Sequence, residues 1–332
     1  MQNANLDFNQ LPPSAKEFLS YMLTIKGKSK NTVNEYFFDL RTFFRYMKQN
    51  RKMIDESITF DKIPINDIDL EFIKTITLTN LFDFLSYAAY ERENENASRA
   101  RKVACLKSFF NYLFKNVKQI PTNPAAELES PKISKRLPKY MTIEESVDLL
   151  TTVENSNSEF KERDFAILTL FLNCGMRLSE LVGININKIK NDTLTVIGKG
   201  DKERTIYLNS ACIEAINSYM KVRTESKKET SALFLSKRQT RISVKTVQWL
   251  VKKYITAAGL DSEKYSVHKL RHTAATLMYK HGHVDIRALQ AILGHESVAT
   301  TEIYTHLDDE NLRNAAKSNP LANFKKSEKP KK

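Results

Sequence analysis

VHKLRHTAATLMY, residues 267–279, carries two messages at helical spacing. Leu270, Ala274, Leu277 and Met278 share a face that anchors a helix in a core. His268 and Arg271 are three apart, so the same helix presents an imidazole and a guanidinium side by side. A guanidinium fork fits two phosphate oxygens at once and meets the charge that develops there when a phosphodiester is cut. The signals bounding this helix are Ser266 and about His281, and another helix is expected from Asp285 to a stop at Gly294.

Upstream, CGMRLSEL (174–181) follows a helix expected around Arg163 to Asn173. It supplies Arg177, with Glu180 three positions on to orient the guanidinium. Taken alone, that pair is equally well a helix salt bridge. TLTVI (193–197), GKGDK (198–202) and ERTIYL (203–208) read as a hairpin from two β-branched runs about a glycine turn. Lys199 sits on that loop, where a flexible stem can deliver a proton to a leaving oxygen; Lys202 or Arg204 could supply the charge instead. A phosphate-binding loop of nucleotide hydrolases is set aside, because no Ser or Thr follows the lysine and the glycine spacing is incomplete.

Downstream, LGHESVATTEIYTHL (293–307) holds His295 and Tyr304. Alone they read as a turn residue and a core or surface tyrosine; beside two arginines and His268 they acquire a chemistry. A phenol with a pKa of about 10 attacks poorly unless cations stabilise its anion or a base takes its proton. His268 is the preferred base, and His295 a donor to a nonbridging oxygen. His268 and His272 are four apart, but no carboxylate accompanies them and HExxH is absent, so a metal site is not expected.

The chain has 332 residues, which favours two domains. Its net charge of +13 calls for a polyanionic partner. Cys105, Cys174 and Cys212 have no metal spacing and read as reduced core residues of a cytosolic protein. The start MQNANLDFNQ has no leader pattern, and no apolar run approaches the roughly 18 residues of a membrane span.

Residues 1–120 read as a helical domain. Thr32 and Glu35 have capping-box spacing before a stripe from Val33 to Met47, Leu81 to Ala88 make another face, and Ser98 is placed as the cap of a third helix. Arg99, Arg101, Lys102 and Lys107 lie off that helix's apolar stripe and are candidate phosphate contacts. The fold of residues 49–79 is not legible. Residues 121–140 carry four prolines with Lys135 and Arg136 among the basic positions, a linker suited to crossing DNA. Residues 141–320 form the second domain, opened by a Thr142–Glu145 capping box, with Trp249 expected in its core; the lysine-rich 321–332 reads as a disordered tail.

In this order and spacing, GMRLSEL, the GKG hairpin, HKLRHTAAT and LGHESVATTEIYTHL resemble the tyrosine recombinase (phage integrase) family. SRARKVACLKSFFNYL (98–113) and NPAAELESPK (123–132) resemble its Xer-like branch. The resemblance spans roughly residues 14–320. It implies a mostly α fold with a small β-sheet: an N-terminal helical core-binding (SAM-like) domain and a mixed α/β catalytic domain forming a C-shaped clamp. It implies a site-specific recombinase with Arg177, Lys199, His268, Arg271, His295 and Tyr304 catalytic. Tyr304 would form a 3′-phosphotyrosine, Lys199 would protonate the 5′ oxygen, and strands would exchange through a Holliday junction with no metal, ATP or cofactor. Implied partners are double-stranded DNA with inverted half-sites, a homotetramer or a heterotetramer with a related recombinase, and a DNA translocase. A terminal helix around His306 to Leu321 would dock on a neighbouring subunit through Leu307, Leu312 and Ala316. The expected role is chromosome dimer resolution, in chromosome partition and cell division, by a cytoplasmic, DNA-associated protein. A transposon or phage integrase and a type IB topoisomerase are the alternatives. The arm-type domain of phage integrases is not expected, because core-like helices begin near Pro12.

Overall fold

The computed structural model describes residues 7–132, 139–198, 202–225, 231–282 and 284–307, with side chains as far as Tyr304. The fold is mostly helical with one small sheet, and it divides into two compact units, Met1–Lys135 and Arg136–Lys332.

In the first unit α1 (Pro13–Thr24) opens with proline at its first position, where no amide hydrogen is needed. Helix α2 (Lys30–Asn50) starts earlier than the Thr32–Glu35 spacing suggests, because the extended Ser29 accepts from the Thr32 amide. A short α3 (Leu70–Lys74) precedes α4 (Leu78–Tyr90), which carries a reciprocal Thr77–Asn80 capping box. Helix α5 (Asn96–Asn111) also begins before its expected cap: Ser98 lies inside the first turn and donates its hydroxyl to Asn94. Phe18, Phe43, Phe44, Phe84, Phe109 and Phe110 are fully buried, several edge to face, at about 2–3 kcal/mol of burial each.

Between α2 and α4 the chain is irregular apart from a 3₁₀ turn at Phe60–Lys62 and the short α3, and it inserts Ile63, Ile65, Ile68, Ile73 and Ile76 into this core. Their spacing follows neither a helix nor a strand. The buried Lys48 ammonium fixes the segment by donating to the Pro64 carbonyl at 2.9 Å and to Asp67 at 2.7 Å.

The second unit opens with α6 (Ile143–Glu154) on the expected Thr142–Glu145 capping box. Helix α7 (Lys161–Cys174) is apolar nearly all round and runs through the core. After α8 (Leu178–Val182), β1 (Ile189–Lys190) pairs antiparallel with β2 (Thr193–Ile197), and β2 pairs with β3 (Glu203–Tyr207) in a register from Thr193 opposite Tyr207 to Ile197 opposite Glu203. Leu194, Val196 and Ile206 face the core at alternate positions. Helices α9 (Ser210–Val222), α10 (Val244–Ala257), α11 (Val267–Lys280) and α12 (Ile286–Leu293) follow, then 3₁₀ turns at Val298–Thr300 and Glu302–Leu307.

Trp249 is not in the core. The inward stripe of α10 is Val247, Leu250, Val251 and Tyr254, which turns Trp249 outward at 65% exposure. The three cysteines are free and buried, with Cys174 and Cys212 sulfurs 3.7 Å apart. No helix among the described residues is long and apolar enough to cross a membrane.

Candidate active site

Two left-handed glycines set the geometry. Gly175, at φ +57°, ends α7 in a conformation that favours glycine, and a Cβ there would stand 2.9 Å from the Leu293 side chain, which would have to shift. The chain then turns into Arg177, the residue before α8. Gly294, at φ +64°, ends α12, and a Cβ there would come within 2.8 Å of the Arg204 side chain.

Three guanidiniums converge on the end of α12. Arg204 donates to the Ile292 carbonyl, Arg271 to Leu293 at 2.7 Å and Arg177 to Gly294 at 2.7 Å. The last carbonyls of a helix lack intrahelical partners and carry its partial negative charge, so they suit cations. Glu180 ties two of the three together. It accepts from the Arg177 amide at 2.7 Å, the Arg177 guanidinium at 2.9 Å and Arg204 at 2.9 and 3.2 Å. Burial pushes its carboxyl up, but the bonds from Arg204 and the Arg177 amide, with the charges behind them, bring it below the usual carboxylate value.

Arg271 also donates to the Gly175 carbonyl, linking α11 to both glycine turns. Burial and the neighbouring Arg177 lower it to about 10, so it stays charged at neutral pH. A guanidinium has more donors than two carbonyls use. Arg271 is 5% exposed, whereas the Arg177 side chain is 32% exposed and faces outward enough to meet a ligand.

Three histidines, His268, His272 and His295, lie at this cluster with their pKa values lowered. Burial, then Arg271 and Lys269, lowers His268. Burial, with Arg271, Arg177 and Arg204, lowers His295 to about 4; its Nδ1 lies 2.9 Å from the Thr301 hydroxyl. Tyr304 is buried at 1% exposure, and burial pushes its phenol up to about 12 against the pull of Arg271. Its hydroxyl lies 2.8 Å from Nδ1 of His272, not of His268. In the sequence His272 stands out only as a possible metal ligand four residues after His268. Its position one turn after His268 was the available signal, and the two rings stand edge to face at 4.6 Å.

Arg177, His268, Arg271, His295 and Tyr304 are therefore gathered around one end of α12 with Glu180 behind them. Lys199 lies outside the described residues. The preceding Gly198 borders the cluster, for a Cβ there would lie 3.6 Å from Glu180 Oε1.

Residues 139–311 match the phage integrase family. Over 94% of its length the chain is 56% identical to the tyrosine recombinase XerC of Caldanaerobacter subterraneus subsp. tengcongensis, covering 88% of that protein. It is 33% identical to the tyrosine recombinase XerD of Shewanella oneidensis, covering 90% of this chain and 93% of that one. Among solved structures, XerH site-specific recombinase bound to its difH substrate, before cleavage, superposes with a TM-score of 0.67 at 25% identity, over 92% of this chain and 84% of that one. The chain belongs to the phage integrase family of tyrosine recombinases, in its Xer-like branch.

In this Xer-like recombinase some of the basic side chains expected to contact phosphates also hold carboxylates. Lys102 is buried and holds Asp39 of α2 at 2.8 Å, and Arg101 holds the same carboxylate at 2.6 Å together with Glu35. Arg204, which the sequence offers as a source of charge beside Lys199, points inward to Glu180 and the α12 carbonyl. The reason is common to both: a buried carboxylate needs a cation nearby, and a helix or strand position alone does not reveal which cation it takes. Lys107 reaches the Leu128 carbonyl from an exposed position, Arg99 reaches Asn96, and Lys202 is exposed. Lys135 and Arg136 lie outside the described residues.

Proposed function

We propose that this site-specific recombinase cuts and rejoins DNA through Tyr304, in the Xer-type role of resolving joined chromosomes. The observation that supports the reading best is the convergence of Arg177 and Arg271 on the α12 terminus beside His268, His295 and Tyr304.

Arg177 and Arg271 grip the nonbridging oxygens of the scissile phosphate, with His295 donating a further hydrogen bond. The Tyr304 oxygen attacks phosphorus with His268 taking its proton. The bond to the 5′ oxygen breaks, Lys199 protonates that oxygen, and a 3′-phosphotyrosine remains. A 5′ hydroxyl from the partner duplex then attacks the phosphotyrosine and frees the phenol. Each step exchanges one phosphodiester for another, so no ATP is consumed, and guanidiniums supply the charge a metal would otherwise bring. Two rounds on paired strands pass through a Holliday junction.

The substrate is duplex DNA with inverted half-sites. Residues 1–120 contact its core, 121–140 cross it, 141–320 carry the chemistry and the tail 321–332 adds charge. Four subunits act together, either identical or paired with a related recombinase, since the relatives carry both XerC and XerD names. The terminal segment from His306 to Leu321, which lies outside the described residues after Leu307, would dock on the neighbour, and a DNA translocase is a candidate partner. The protein works in the cytoplasm on the chromosome.

A nicked duplex carrying the target site traps the covalent step. Tyr304→Phe should bind it normally and give no adduct; adduct at the native yield would refute the assignment of the nucleophile.

A further inference from the structure

The phenol that must meet a phosphate has almost no surface of its own. Tyr304 is 1% exposed in the cluster formed with Ala275, Leu289 and Leu293, and its amide is bonded to the Thr301 carbonyl in the turn before it. Its hydroxyl has a partner, Nδ1 of His272 at 2.8 Å. His272 sits on α11 directly after Arg271, so the helix that carries a phosphate-gripping guanidinium also holds the nucleophile. A scissile phosphate lies on the surface of a duplex and cannot approach a hydroxyl enclosed in this way.

We propose that His272 is a positioning residue that holds Tyr304 buried and protonated in the DNA-free chain, and that cleavage begins when this hydrogen bond is given up. The proposal rests on the reading of Tyr304 as the nucleophile. His272 is not the base in this arrangement. Passing a proton from a phenol held up at about 12 to an imidazole held down at about 4 runs far uphill, so the contact keeps the phenol neutral. A protein that cuts chromosomes benefits from a nucleophile withheld until a site is bound. The hydrogen bond makes the withholding local to α11 and the Glu302–Leu307 turn.

Nitration by tetranitromethane tests this on the full chain without DNA, because the reagent needs an accessible, ionisable phenol. Exposed Tyr90 and Tyr207 calibrate the reaction, and buried Tyr254 reports whether the fold is intact. In the native chain Tyr304 should be as protected as Tyr254. His272→Phe keeps an aromatic ring on α11 and removes the bond; Tyr304 should then be nitrated about fivefold faster, the worth of one hydrogen bond, with Tyr254 still protected. His272→Asn, with an amide near the position of Nδ1, should restore protection. On a nicked duplex carrying the chain's own site, recovered by footprinting on host DNA, His272→Phe should form adduct at least as fast as the native chain. Unchanged protection of Tyr304 in His272→Phe would overturn the proposal. So would a loss of adduct of about tenfold or more at unchanged binding, which would place His272 in the cleavage step. Adduct formation by Tyr304→Phe would instead sink the nucleophile assignment and leave the nitration result standing.

Discussion

In each unit a buried carboxylate, Asp39 in the first and Glu180 in the second, is hydrogen-bonded by two cations, and the two are shifted in opposite directions. Asp39 in the first unit meets Lys102 and Arg101, yet burial dominates and its carboxyl is raised above the usual value. Glu180 in the second unit receives four hydrogen bonds from Arg177 and Arg204, and its carboxyl is lowered. The difference lies in the donors. Asp39 joins α2 to α5, a structural task that a partly compensated charge can perform. Glu180 aims a guanidinium at open space, and it is held by a lattice of bonds that fixes its orientation as well as its charge.

The largest effect expected from breaking that contrast is at Arg271. Arg271→Ala should lower the single-turnover cleavage rate about 10²–10³-fold while site affinity, carried by many phosphate contacts, changes little. Parallel losses in rate and affinity would make Arg271 an ordinary backbone contact.

Next come the carboxylates themselves. Asp39→Ala leaves Lys102 buried without its partner and should cost about 3 kcal/mol in urea unfolding, with cleavage per folded molecule unchanged. Glu180→Gln keeps the size and should reduce cleavage about tenfold or more by loosening Arg177, beyond any loss of stability. A Glu180→Gln enzyme that cleaves normally would erase the functional side of the comparison.

Acid titration of stability sharpens the same contrast, because the signs differ. Glu180 is lowered on folding, so it contributes stability above its unfolded value that is lost as pH falls through its folded one. Asp39 is raised, so its contribution is present below the unfolded value and lost as pH rises through the folded one. Relative to the native chain, Glu180→Gln should flatten the rise of unfolding free energy with pH below the ordinary carboxylate range, and Asp39→Asn should steepen the rise above it. Identical slopes in the two variants would contradict the opposite shifts.

The smallest effects come from glycines. Gly259 has φ +72° with nothing within 4 Å of an added Cβ, so Gly259→Ala should cost only about 1 kcal/mol of backbone strain. Gly294→Ala adds contact with Arg204 and should lose cleavage as well as stability. Equal behaviour of the two variants would mean that the α12 turn does not organise the arginines.

Most of the second unit was legible because its signals are local. Asp285 and the Thr142–Glu145 pair cap their helices, Gly294 ends α12, and β-branched runs mark the hairpin. Spacing alone placed His268 beside Arg271. What the sequence hid depends on long-range packing. Arg204 turns inward because Glu180 is buried 24 residues away in the chain, and Tyr304 chooses His272 over His268 through the path of the turn after α12. In the first unit the caps at Thr32 and Ser98 were displaced by Ser29 and by a helix start at Asn96. The isoleucines of 63–76 had no period to read, and Trp249 turned out because four better-placed residues fill the inward stripe of α10.

The central claim is that the Tyr304 oxygen attacks a phosphate held by Arg177 and Arg271. Digesting the covalent complex formed on a nicked site and locating the nucleotide by mass spectrometry tests it most directly. The 3′-linked nucleotide should be found on Tyr304, with Arg177→Ala and Arg271→Ala each reducing the amount of that same peptide adduct. A nucleotide on any other residue, such as Tyr265 or Tyr279, would contradict it.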